Sequence, residues 1–186
     1  MALGEKKLAA AWFIPRTTGE RALAELAEAA GTRNLFLADS HPDPLHGSWA
    51  GMEDCSLRLD VLKHHYCLQI YFWLSAFPER TQGPVEQDGA IRVAYAFRKA
   101  CEQLRAEAAF IVTHLDQANP SYILDQYGDV LGMNANILVN RHFGLLYLSA
   151  DLVSAMDAGA RLSGRDTLPV LHGLLVFSGQ GGARWY

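Results

Sequence analysis

Between residues 39 and 47 the chain reads Asp39-Ser40-His41-Pro42-Asp43-Pro44-Leu45-His46-Gly47, which sets two imidazoles and two carboxylates within one short stretch. Neutral imidazoles and carboxylates together suit a divalent metal such as zinc, iron or manganese. Asp39, His41 and His46 are the candidate ligands from this stretch, with His64 folding back from further along to complete the shell. A metal held there would lower the pKa of a bound water towards neutrality, and Glu53 or Asp54 would be the nearby general base. That chemistry is metal-dependent hydrolysis. The spacing matches no established ligand motif, however, and the competing reading is a polar loop whose Asp and Ser side chains bond to their own backbone. Metal analysis of the purified protein followed by His41→Ala separates the two, since metal-free protein from metal-replete medium ends the hydrolase reading.

Other reactive types are scattered. Cys67 and His65 share a strand face but sit too far apart for a direct hydrogen bond, so Cys67 is expected to pack as a small apolar side chain. His114, His142 and His172 are isolated, and the expectation for each is a structural role. The segment Ser178 to Tyr186 is rich in glycine, yet a phosphate-binding loop needs a following helix. Trp185 and Tyr186 are instead expected to dock, on the core or on a partner, with Trp49 a further aromatic candidate for binding. No cofactor fingerprint is present; a divalent metal is the one inorganic group the residues suggest.

The elements that must position these residues follow from periodicity. Leu8 to Ile14 is an uninterrupted apolar run and reads as a buried strand closed by Pro15. Thr17 and Glu20 have capping-box spacing, and Leu23, Leu26, Ala27 and Ala30 make one helical stripe with Gly31 as its stop. Asn34 to Ala38 is a second short strand. Four Pro and Gly residues then argue for a loop over 39–54.

Next comes a change of phase. Leu57, Leu59 and Val61 are odd-numbered, whereas Tyr66, Leu68, Ile70, Phe72 and Leu74 are even. A regular strand cannot change faces, so a turn or bulge is predicted at Lys63-His64-His65. The even-numbered strand carries Tyr71 and Trp73 on its other face and reads as central. A helix from about Ile91 to Ala108 with Asp88 as its cap follows, its apolar set including Tyr95, Phe97, Cys101 and Leu104. Strands are predicted at 109–112 and 143–148, helices at Asn119-Pro120 and 151–157, and a hairpin turn or glycine bulge at His172-Gly173.

This order gives an α+β fold with a mixed, largely antiparallel sheet and helices packed on it; the part after residue 56 is compatible with a ferredoxin-like sandwich. The 186 residues are read as a single globular domain, 1–186, in which 1–38 is a strand-helix-strand unit, 39–54 a loop and 55–186 the main sheet-helix body.

Composition limits the function classes. The net charge of −4, from 16 basic and 20 acidic residues, disfavours nucleic acid, and the cations Arg92, Arg98, Lys99 and Arg105 are interrupted by Glu102 and Glu107. No apolar stretch reaches the roughly 20 residues of a spanning helix, so no membrane partner is expected. Three cysteines without a CxxC pair suit a reducing compartment, and the N-terminal apolar run lacks a cleavage site, which together imply a cytoplasmic protein. Binding is favoured over catalysis. The expected function is a cytoplasmic protein-interaction module, such as an immunity-type inhibitor or an accessory subunit of a larger assembly, with another protein as partner.

Overall fold

The computed structural model describes residues 6–16, 19–29, 45–49, 52–62, 65–75, 84–112, 143–155, 162 and 165–177. Along the chain these form β1 (Lys6–Pro15), α1 (Gly19–Ala29), β2 (Leu45–Trp49), β3 (Met52–Leu62), β4 (His65–Ser75), α2 (Pro84–Gln103), β5 (Ala106–Val112), β6 (Phe143–Ser149), α3 (Ala150–Ala155), β7 (Thr167–Val170) and β8 (Gly173–Phe177). The eight strands make one sheet in the order β2-β3-β4-β1-β5-β6-β8-β7. Every neighbouring pair is antiparallel. The fold is α+β.

β1 lies inside the sheet, between β4 and β5, and this explains its unbroken apolar run from Leu8 to Ile14. Ala9, Ala11 and Phe13 enter the core on one face with Leu57, Leu59, Leu68, Ile70 and Phe72. Ala10, Trp12 and Ile14 enter a second core on the other face with Cys67, Phe110, Leu146 and Leu148. A strand covered on both sides has no position left for a polar side chain. Trp12 leaves one residual cost: its indole Nε1 is buried without a hydrogen-bond partner among the described residues, while its ring lies 4.9 Å from that of Phe110.

β4, α2 and β5 form a split crossover. Both strands are antiparallel to β1 and therefore parallel to each other, with β1 between them. This unit also builds ferredoxin-like folds, but here the inserted strand comes from residues 6–15 rather than from the second part of the chain.

The phase argument is met in the register. Leu57 opposes Ile70, Leu59 opposes Leu68 and Val61 opposes Tyr66, so odd residues of β3 share a face with even residues of β4. The pairing closes with Leu62 opposite His65. Two expectations need correction. The stretch read as a loop to residue 54 contains β2 and the start of β3. Gly47 does not interrupt β2: it pairs with Cys55, and the register shifts between it and Trp49. The helix read as 91–108 runs from Pro84 to Gln103, because Ala106 already begins β5. Leu104 is buried just beyond the helix, and Arg105 takes φ 44°, the left-handed conformation that ends a helix.

At the C-terminal side, Ser149 caps α3 by accepting the Leu152 N–H at 3.3 Å. His172-Gly173 belongs to a hairpin in which Val170 opposes Gly173 and His172 has φ 70°. The His172 carbonyl accepts from Ala150 N–H at 2.9 Å and from the Tyr147 hydroxyl at 3.1 Å. This locks the turn to β6 and α3. The strand expected at 34–38, the cap at Gly31, the turn residues 63 and 64, the helix at Asn119-Pro120, His114 and His142 lie outside the described residues. No described helix is long and apolar enough to cross a membrane.

Candidate functional site

α1 and α2 lie on the same face of the sheet and touch each other, α1 over β4 and α2 over β5 and β6. Their inward residues belong to one core: Leu26 from α1, and Val93, Phe97, Ala100 and Cys101 from α2. The ring of Phe97 lies 5.3 Å from that of Phe13 on β1. Buried positions on α2 fall at Val93, Phe97, Ala100 and Cys101, and Leu104 continues the stripe. At about 100° per residue, Tyr95 projects from the side opposite the centre of that stripe. It is 63% exposed, which corrects its assignment to the apolar face.

What surrounds Tyr95 is charged. Arg92, Arg98 and Lys99 are all exposed, and the sequence of α2 sets Glu86, Asp88 and Glu102 along the same helix. Arg98 Nε lies 3.2 Å from Glu102 Oε1, an i,i+4 pair along the helix. Arg92, Tyr95, Lys99 and Glu102 occupy positions i, i+3, i+7 and i+10, a single outward ridge of cation, phenol, cation and carboxylate. An exposed Tyr among Arg and Lys can bury its ring against a partner while its hydroxyl and the neighbouring cations satisfy polar groups there. Among the described residues, the other large exposed apolar side chains are Leu168 and Leu171, at the far end of the sheet.

The residues expected to carry chemistry are distributed differently. His46 lies on the edge strand β2 opposite Ser56, whereas Asp39, His41 and His64 lie outside the described residues. Among the described residues no three His, Cys, Asp or Glu side chains are grouped so as to hold a metal ion. Trp49 is 8% exposed and packs its ring 5.2 Å from Phe72 and edge-on to Phe13. Its indole is part of the core. Trp185 and Tyr186 lie outside the described residues.

Cys55, Cys67 and Cys101 are all buried and free of disulfides. Burial pushes the Cys101 thiol well up, with Glu102 adding to the shift, so the thiolate that nucleophilic chemistry needs is suppressed. Cys67 packs in the second core, as expected of a small apolar residue. One further charged cluster has a structural role: Arg16, at the end of β1, reaches Glu107 on β5 at 3.1 Å and Asp151 on α3 at 2.6 Å.

Tyr95 could have been found from the sequence. Taking Phe97, Cys101 and Leu104 as the stripe places position 95 about 160° from Phe97, and Arg92 and Lys99 fall on its side of the helix. No model of a known protein family, no curated protein and no solved structure matches this chain at a significant level.

Proposed function

We propose that this chain is a cytoplasmic protein-interaction module, of the class that includes immunity-type inhibitors and accessory subunits of larger assemblies, and that it engages its partner through the outward ridge of α2. The observation that carries the reading is Tyr95, 63% exposed on a helix whose opposite stripe is fully packed. Tyr and Arg dominate the energetics of protein interfaces where they are exposed, because they combine a large contact area with polar ends. The partner is a protein rather than a nucleic acid: the ridge is short and includes the carboxylate of Glu102, and the chain as a whole is acidic. Three buried free thiols support a reducing compartment.

The test is capture from the native host with the full-length protein and with Tyr95→Ala. Removing an exposed side chain leaves stability within about 0.5 kcal/mol. A stoichiometric partner retained by the wild type and lost by Tyr95→Ala, at equal melting temperature, is the expected result. A partner retained equally by both proteins would overturn the assignment of α2.

A further inference from the structure

We draw no further inference here: the strongest candidate, the row Arg58, Gln69 and Trp12 across the second face of the sheet, where the buried indole Nε1 of Trp12 has no hydrogen-bond partner among the described residues, carries nothing because Arg58 and Gln69 already hold other interactions and nothing among the described residues shows what covers that part of the face.

Discussion

Gly173→Ala should be among the most damaging single-methyl additions in this protein. Gly173 begins β8 between Val170 on one side and Ser149 on the other. A Cβ there would lie 2.3 Å from the Leu148 carbonyl oxygen and 2.7 Å from both Cζ and the hydroxyl oxygen of Tyr147. Ordinary contact distances exceed these by roughly 1 Å. The phenol could swing away, but Tyr147 is buried and its hydroxyl donates to the His172 carbonyl. The Leu148 oxygen is backbone and can retreat only if β6 and β8 separate. Overpacking of this kind costs about 1–3 kcal/mol, and loss of the Tyr147 hydrogen bond adds about 1 kcal/mol. The sum, about 2–4 kcal/mol, corresponds to a fall in Tm of roughly 5–15 °C for a chain of this size. Urea unfolding at constant m-value measures it. In a Tyr147→Leu background the ring clash disappears and the carbonyl clash remains, so the cost of Gly173→Ala should drop but not vanish. A cost below about 0.5 kcal/mol in the wild-type background would refute the close approach of β8 to Tyr147.

Phe97→Ala should destabilise by about 3–5 kcal/mol and Tyr95→Ala by less than about 0.5 kcal/mol, and equal effects in urea melts would mean that the faces of α2 are misassigned. Burial, reinforced by Cys101, pushes the Tyr147 phenol up from its ordinary value to about 12. The folded state therefore holds this proton more tightly than the unfolded chain. Its contribution to stability is complete below pH 10 and is lost as pH rises from about 10 to about 12, at about 1.4 kcal/mol per unit. The stability difference between wild type and Tyr147→Phe should shrink over that window, and a constant difference would count against the shift. Arg105→Gly should raise stability by about 0.5–1 kcal/mol, because glycine relieves the side-chain crowding at φ 44° while surrendering some unfolded-state entropy; a lower urea midpoint would show that the Arg side chain contributes more than its strain.

Much of this fold could be read in the sequence because its strands obey strict local rules. The odd-to-even switch across residues 62–65 emerges as the register of β3 on β4, and the run from Leu8 to Ile14 emerges as a strand with both faces covered. What could not be read is non-local. Nothing in residues 6–15 says that their hydrogen-bond partners are β4 and β5, since apolar strands pair indifferently and the choice is made by packing across the whole sheet. β2 was hidden for a different reason. Its five residues include Gly47 and follow a Pro-rich stretch, and short edge strands carry little periodicity to recognise. The candidate site was concealed by treating Tyr95 as one more apolar residue, although its position on the helix already set it among cations. The stretch from Asp39 to Pro44, which dominated the chemical reading, lies outside the described residues.

The edges of the sheet bear on how this chain can associate. At β7, the Phe177 N–H donates to the Asp166 carbonyl at 2.9 Å. Antiparallel pairing alternates, so residues 166, 168 and 170 turn their backbone groups towards β8 and residues 167 and 169 turn theirs outwards. Residue 169 is proline. Its missing N–H costs the sheet nothing and removes a donor from the free edge, where a second strand would seek one. At the opposite edge, β2 has only five residues and a register shift between Gly47 and Trp49. Among the described residues, both edge strands thus carry features that resist extension by an added strand. Among the described residues of the face covered by α1 and α2, Tyr95 is the large hydrophobic side chain left exposed. Substituting Pro169 by Thr restores the missing donor at an exposed edge. If that change produces association that Tyr95→Ala does not abolish, the sheet edge and the helical face are independent surfaces, and the proline is what keeps the first one closed.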